Sequence, residues 1–583
     1  MFENQPKGLF ALALANTGER FGYYTMLAVF ALFLRANFGL EADAAGQIYS
    51  TFLALVYFLP LVGGMLADKI GYGKCVTIGI IVMFLGYVLL AVPLGSDSIA
   101  MVAMIAALVL ISFGTGLFKG NLQVMVGNLY DDPKYADKRD AAFSLFYMAI
   151  NIGAMFAPTA AVKIMDWAQT SLGVSVNDSY HFAFMVACAS LVLSIAIYYA
   201  CRPWFKHVEN SAKQQAATGT QVEELTPEQT KKRIVALCLV FAVVIFFWMA
   251  FHQNGLTLTY FADEFVQPLC TGVQTMAFDI INLVMIVIMI YAGFSLVQSK
   301  ETKSKIFSGV AIAGALAVLA YKYFSISPEG IKLSAPIFQQ FNPFYVVALT
   351  PVSMAIFGAL AKKGKEPSAP RKIAYGMLVA AIGFAIMAVG SQDLNTPKEQ
   401  AKAIAVAQAD SIAVKTIAAG TDEAKLKEVT KMKEDFEGKI TKENKALFTK
   451  AYEANMTILA GTDSTAVVAA TETLNAIKSE TKPETRTSPY WLIFTYLILT
   501  FAELLLSPMG ISFVSKVAPP KYKGMMMGGW FAATAIGNYL VSVPGLLWMR
   551  IPLWSVWVVL IAICATAGIF MFANMKRIES ATE

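Results

Sequence analysis

The sequence predicts an all-α integral membrane protein, and three observations carry that prediction. Apolar side chains make up 57% of the 583 residues and charged ones only 15%, with a mean hydropathy of +0.57; an ordinary soluble domain carries roughly 25% charged residues. The apolar residues gather into runs long enough for a helix to cross a bilayer, which takes about 20 residues. Positive charge between the runs recurs on alternate loops, the bias that sets orientation in a membrane. With the basic residues confined largely to short loops, a net charge of +6 makes no case for nucleic-acid binding.

Fourteen spans are predicted, at about 8–36, 45–67, 75–95, 98–125, 141–164, 181–201, 232–261, 275–297, 305–324, 336–361, 372–390, 488–514, 524–548 and 553–575. The first is too long for a signal-peptide core and carries charges at its centre, so it is expected to be retained. Lys69 and Lys74, then Lys134, Lys138 and Arg139, then the stretches Arg202 to Arg233, Lys300 to Lys305, Lys362 to Lys372 and Lys516 to Lys523, and finally Lys576 and Arg577, all fall on the N-terminal side of this count. Both termini are therefore expected in the cytoplasm, with the chain in a plasma membrane, taken as a bacterial inner membrane.

The expected units are an N-terminal bundle at 1–202, a cytoplasmic linker at 203–231, the first helix of a C-terminal bundle at 232–262 and two inserted spans at 274–325. The C-terminal bundle continues at 336–390 and closes at 488–576. Between those last two lies 391–487, rich in Ala, Lys, Glu and Thr, where Glu423 to Leu447 carries apolar positions at helical spacing among charges. It is expected to form a small helical extracytoplasmic domain of modest stability, since it has no long apolar run. The six cysteines show no paired spacing, which predicts no disulfide framework. No phosphate-binding loop, iron–sulfur spacing or zinc signature is present. The expectation is a transporter without an ATP site, metal or cofactor, with protons as the coupling ion, and not an enzyme.

An ionisable side chain at the bilayer centre costs roughly 2.5–3.5 kcal/mol on insertion scales, so those within the spans are candidates for function. Span 1 holds Glu19 and Arg20; Asn16, Arg20 and Tyr24 share one face, with Glu19 and Tyr23 beside it. Arg20 is suited to forking onto a ligand carboxylate, with Glu19 as a competing partner. Span 4 presents Lys119 after Gly114 and Gly116, glycines that admit a close neighbour. Span 7 carries His252 beside Gln253 and Asn254; histidine changes charge near neutral pH, and a hydrogen-bonded structural role is the alternative. In span 12, Glu503 and Ser507 share a face and Pro508 is expected to bend the helix.

These residues carry a resemblance. Glu19-Arg20-Phe21-Gly22-Tyr23-Tyr24 resembles the E-x-x-E-R-F-x-Y-Y-G motif of the proton-dependent oligopeptide transporters of the major facilitator superfamily. Phe143-Ser144-Leu145-Phe146-Tyr147-Met148-Ala149-Ile150-Asn151-Ile152-Gly153 is similar to their F-x-x-F-Y-x-x-I-N-x-G signature. Gly64 to Gly71, with Asp68 at its centre, resembles the superfamily's loop motif, and Phe341-Asn342-Pro343 and Glu503 to Pro508 fit family patterns. The resemblance implies two six-helix bundles around a central cavity that opens alternately to each side, with two extra helices after the seventh span.

Carried over residue by residue, it implies that Arg20 and Lys119 face a peptide's carboxylate, with Tyr23, Tyr24 and Tyr57 lining the pocket. Asn151, Asn342 and Glu503 would hold the amino end and backbone, helped by Ser507, and Trp248 and Trp530 would shape side-chain pockets. Glu19, Lys119, His252 and Glu503 would serve proton coupling, and Asp68 and Pro508 gating. Asn16, Thr25 and Leu27 depart from the motif, which usually has glutamate, glycine and a second arginine there. His252 stands where the family often has an acid that pairs with that arginine. One charged latch between the bundles is thus expected to be missing, while Lys119 and Glu503 remain available as a second. The implied activity is proton-coupled import of di- and tripeptides. Carriage of another small solute, such as an amino acid, nitrate or a drug-like molecule, and a non-transporting solute sensor are the alternatives. An unidentified partner for 391–487 remains open.

Overall fold

The computed structural model describes residues 5–581 apart from 131, 133, 136–138, 210–225, 438–441, 462 and 520–522. Lys138 and the centre of the predicted linker therefore lie outside the described residues. Among those described, fourteen helical spans are long and apolar enough to cross a membrane, which agrees with the predicted number. Helices prevail because every backbone polar group must find its partner within the segment when no water is at hand.

The first half comprises α1 (Lys7–Phe38), α2 (Ala42–Ile70), α3 (Tyr72–Ala91), α4 (Ser98–Asn128), α5 (Arg139–Ser171) and α6 (Val176–Ala200). Helix α4 is wedged between α2 and α3, and its glycines are the reason it fits. A Cβ placed on Gly114 would lie 2.5 Å from Met83 Cγ of α3, and one on Gly116 would lie 2.8 Å from Leu59 Cβ of α2. Backbones can approach this closely only where side chains are absent.

The second half opens with α7 (Pro227–Phe251), started by a capping box between Thr226 and Gln229. The sequence predicts one unbroken span here. Instead a single 3-10 turn at His252–Gly255 separates α7 from the eight-residue α8 (Thr257–Glu264). The polar run that breaks the helix also repairs it. The Gln253 amide donates to the Met249 carbonyl at 2.9 Å and the Val541 carbonyl at 3.0 Å, and accepts from the Thr257 hydroxyl at 2.7 Å. Gly255 permits this turn: a Cβ there would fall 1.8 Å from the Tyr49 hydroxyl of α2.

Two inserted helices follow, α9 (Ile280–Gln298) and α10 (Thr302–Phe324), joined by Ser308–Ser295 at 3.0 Å and an Asp279–Lys322 ion pair at 2.8 Å. Their base is clasped by two short antiparallel strands, β1 (Leu269–Cys270) and β2 (Ile331–Lys332), with Leu269 opposite Lys332. The hairpin shows apolar side chains outward, Phe307 and Val297 among them, as suits a surface facing lipid. Then come α11 (Phe341–Lys362) and α12 (Ala369–Gly390).

The segment predicted as a separate domain contains α13 (Pro397–Ala419), α14 (Glu423–Glu437), α15 (Lys442–Ala460) and α16 (Ser464–Glu480). Ala405, Ala409 and Ile412 of α13 pack with Phe448 and Ala451 of α15 and Leu474 of α16 in a core distinct from that of the spans. Alanine faces pack tightly without forming an apolar run that sequence inspection would register.

The chain closes with α17 (Tyr490–Val517), α18 (Lys523–Tyr539), α19 (Ser542–Trp548), α20 (Leu553–Ala573) and the short α21 (Met575–Glu579). The thirteenth predicted span is thus also broken, between α18 and α19. Helix α17 stays helical through Pro508. An even number of crossings puts both chain ends on one face, the terminal face, and α13–α16 on the other, the distal face. On the distal half the two groups of helices are shut against each other. Gln339 donates to the Ala28 carbonyl at 3.0 Å, Thr159 to Gln340 at 2.7 Å and Tyr260 to the Ala42 carbonyl at 3.4 Å.

The wedge at α4 makes a clear contrast. Gly114→Val is expected to lower stability by about 1–3 kcal/mol through overpacking. Gly64→Ala, where a Cβ meets nothing within 4 Å, is expected to leave the melting temperature in detergent near that of the parent.

Candidate functional site

Helix α1 carries the first part of the site. Asn16, Glu19 and Arg20 are all buried. Of the two partners that the sequence allows Arg20, Glu19 holds it here: Arg20 Nε donates to Glu19 Oε2, and Nη2 to Oε1 at 2.5 Å. The guanidinium also lies 4.7 Å from the Tyr23 ring centre, and Tyr23 meets Tyr24 edge to face.

Lys119 projects from α4 just beyond the glycine wedge. Its Nζ stands 4.0 Å above the Tyr57 ring centre, and among the described residues no carboxylate lies within ion-pairing distance. A desolvated ammonium over a tyrosine gains on the order of 1–2 kcal/mol, less than a full counter-ion would supply. The other side of the gap is held by His252, whose ring centre is 6.1 Å from that of Tyr57. His252 stacks on Trp248 at 5.1 Å, and its Nδ1 is 2.6 Å from Asn538 Oδ1. An amide oxygen only accepts, so Nδ1 carries the proton and Nε2 of the neutral ring is left as an acceptor. Trp248 Nε1 and Asn538 Nδ2 are buried with no protein partner among the described residues. Unpaired buried donors beside one ring mark a place that water or a ligand acceptor completes.

Glu503 of α17 is buried. Its Oε2 accepts from Asn342 Nδ2 at 2.9 Å and its Oε1 from the Tyr147 hydroxyl at 3.3 Å. Asn342 also reaches Thr500 at 3.0 Å. The pairing with Lys119 that the sequence leaves available is not made. Each group is engaged locally, Glu503 by two hydrogen-bond donors and Lys119 by a π face.

The remaining predicted positions divide. Asn151 spends its Nδ2 on its own helix, donating to the Tyr147 carbonyl at 3.0 Å. Trp530 lies flat on α17, where a Cβ at Gly510 would come within 2.0 Å of its ring. Ser507 is half-buried one turn from Glu503, and Pro508 is exposed. The Asp68 side chain lies outside the described residues.

Three features escaped the sequence reading. Tyr147, although part of a quoted signature, is the bridge from α5 to Glu503. Asn538 is a lone amide in an apolar helix and gives no pattern. The third is an ion pair nearer the distal face, beyond the place where Leu27 and His252 leave out a charged latch: Arg35 Nη1 bonds Glu264 Oε1 at 2.5 Å. Arg35 lies two turns beyond Leu27 on the same helix, and both partners sit at helix ends, where charged residues pass for ordinary interfacial ones.

Two helical halves closed on one face, with opposite charges buried where they meet, define a polytopic membrane transporter. A profile of the POT family (PTR2) matches residues 73–223, 322–433 and 456–548, more than half of the chain. The chain belongs to the POT family. An uncharacterized transporter of Bacillus subtilis, YclF, is 26% identical over 94% of this chain and 90% of its own length. Dipeptide and tripeptide permease B of Salmonella typhimurium is 26% identical, over 67% of this chain and 75% of its own. The peptide transporter YePEPT of Yersinia enterocolitica is 24% identical over 100% and 97%. Among solved structures, a peptide transporter POT in complex with sulfate superposes with a TM-score of 0.64 at 20% identity, covering 100% of this chain and 96% of that one. A POT family transporter in complex with 5-aminolevulinic acid gives 0.65 at 17%, covering 99% and 98%.

The Glu503 site carries a direct test. Asn342→Ala removes a hydrogen bond to a charged group and is expected to cost about 1.5–3 kcal/mol at neutral pH. Asn342→Asp sets two carboxyls together, which hold each other only while one keeps its proton, so its cost is expected to grow as pH is raised. Thermal unfolding of the purified variants reads both.

Proposed function

We propose that this transporter imports di- and tripeptides together with protons by alternating access across a plasma membrane, with its terminal face in the cytoplasm. The carrying observation is the charge inventory. Arg20 is already neutralised by Glu19, so among the charged residues of this site Lys119 on one half and Glu503 on the other are the pair for which no ionic partner stands among the described residues. A zwitterion of peptide size offers a carboxylate to Lys119 and an ammonium to Glu503. The names of the permease relatives and of YePEPT support that cargo.

In this reading a proton from outside neutralises Glu503, weakening its hold on Asn342 and Tyr147 and letting the two halves part. Tyr57 carries the influence of His252 to Lys119, since its ring contacts both. His252 Nε2 is a second proton acceptor in the same chamber. Tyr23, Tyr24, Asn151, Trp248 and Trp530 line or brace it. The buried donors of Trp248 and Asn538 add hydrogen bonds for a peptide carbonyl. The solved relative bound to 5-aminolevulinic acid favours keeping a small amino acid as the second reading for cargo.

Uptake of labelled dialanine into proteoliposomes is expected to rise when the outside is acidified, and lack of stimulation would remove proton coupling. Competition by dipeptides but not by free amino acids separates the two cargo readings. For Lys119→Ala, gradient-driven uptake is expected to vanish while some exchange persists. His252→Gln is expected to shift the pH profile of uptake; an identical profile would assign the ring to structure alone.

A further inference from the structure

The distal-face domain is fastened to one short helix, and the way it is fastened points to a purpose. Helix α8 is only eight residues long and is cut off from α7 by the turn at His252–Gly255. Continuous helix therefore does not by itself fix its orientation to the long span before it. A helix end also leaves its last carbonyls without partners. Here four successive carbonyls, at residues 263–266, are all satisfied from the two connections of the domain insertion. Arg486 Nη1 donates to the Asp263 carbonyl at 3.2 Å and the Val266 carbonyl at 3.1 Å. Gln400 Nε2 donates to the Glu264 carbonyl at 2.9 Å. The Thr487 amide donates to the Phe265 carbonyl at 2.8 Å.

Gln400 is fully buried and uses both ends of its amide. Its nitrogen also reaches the Thr485 carbonyl at 2.8 Å, and its oxygen accepts from the Thr485 amide at 3.0 Å and Asn395 Nδ2 at 3.1 Å. A domain merely tethered by its two connections would need no such hub. The helix end that the domain grips is the one that closes the distal face. Glu264 turns its carboxylate away from the domain, onto Arg35 of α1 at 2.5 Å and Trp548 Nε1 of α19 at 3.0 Å. Arg35 lies in turn 4.6 Å from the Tyr260 ring. One residue thus has its backbone held by the domain and its side chain held by both halves of the transporter.

We propose that the 391–487 insertion is a gate anchor: by capping α8 through Gln400 and Arg486 it presents Glu264 to Arg35, so that outer closure depends on the domain. Gln400 and Arg486 are positioning residues in this scheme, and the Arg35–Glu264 pair is the contact that opening must break. The scheme rests on the alternating-access reading above but not on the nature of the cargo or on proton coupling. Anything that bound the domain and strained the 395–400 or 483–487 connections would act on the gate.

Hydrogen–deuterium exchange on the full-length protein in nanodiscs tests this without any transported substrate. Gln400→Met and Arg486→Gln are each expected to speed exchange of amides 257–266 by about five- to tenfold, the factor that one or two lost hydrogen bonds supply. Amides 405–412, in the domain core, are expected to keep their protection. Arg35→Gln is expected to loosen 257–266 and the outer end of α1 while leaving 395–400 protected. The double variant R35E/E264R is expected to recover protection relative to R35E. If Gln400→Met also exposed 405–412, the domain itself would have loosened, and Arg486→Gln alone would decide. Unchanged exchange at 257–266 in Arg486→Gln, or no recovery in the charge swap, would overturn the proposal. Failure of dialanine uptake in the parent protein, with this exchange pattern intact, would count against the cargo alone.

Discussion

A charge that leaves water for a membrane interior must be compensated, and the way each charge here is compensated organises the rest of the molecule. Arg20 forks onto the glutamate beside it, so that pair is internal to α1 and asks nothing of its neighbours. Arg35 finds Glu264 on the opposite half, so that pair holds two bodies together. Lys119 has a tyrosine ring and Glu503 has two neutral donors. Breaking a buried pair by removing one member typically costs about 3–5 kcal/mol, whereas partners made of hydroxyls, amides and rings are released at lower cost. The central site is thus furnished with partners that can be exchanged, and the distal seam with one that cannot be given up cheaply.

Broken helices serve the same end. The turn at His252–Gly255 and the interruption between α18 and α19 bring His252 and Asn538 into contact and free the carbonyl of Val541 for Gln253. Irregular backbone at this depth is tolerated because it is buried in protein and satisfied by polar side chains. Each break turns a single long span into two pieces that can be positioned separately. The lower piece stays with the bundle, and the upper piece is placed by whatever grips it.

Much of this was legible in the amino-acid sequence, for physical reasons that differ by element. Spans register because length and hydropathy are set by the bilayer, so the existence of all fourteen could be read even where their ends could not. The separate helical domain showed as a shift in composition, and the inserted hairpin as two spans beyond the twelve that the resemblance implies. The breaks in spans 7 and 13 did not, since one interrupted and one continuous helix have nearly the same hydropathy. In the site, Glu19, Arg20, Lys119, His252 and Glu503 stood out because ionisable groups are rare there. Their pairing was not legible. Whether Arg20 turns to its neighbour or outward is decided by rotamers, and whether Lys119 meets Glu503 depends on how far apart two bundles stand. Arg35 and Glu264 were overlooked because each sits near a helix end, where charge is common; only proximity across more than two hundred residues of chain makes them a pair.

The turn beside His252 has a further consequence through Gly255. Because the Tyr49 hydroxyl occupies the space where any side chain at 255 would begin, even an alanine there would push α2 and the turn apart. The missing methyl at one position in the chain is, in effect, the clearance that lets two helices from opposite halves touch.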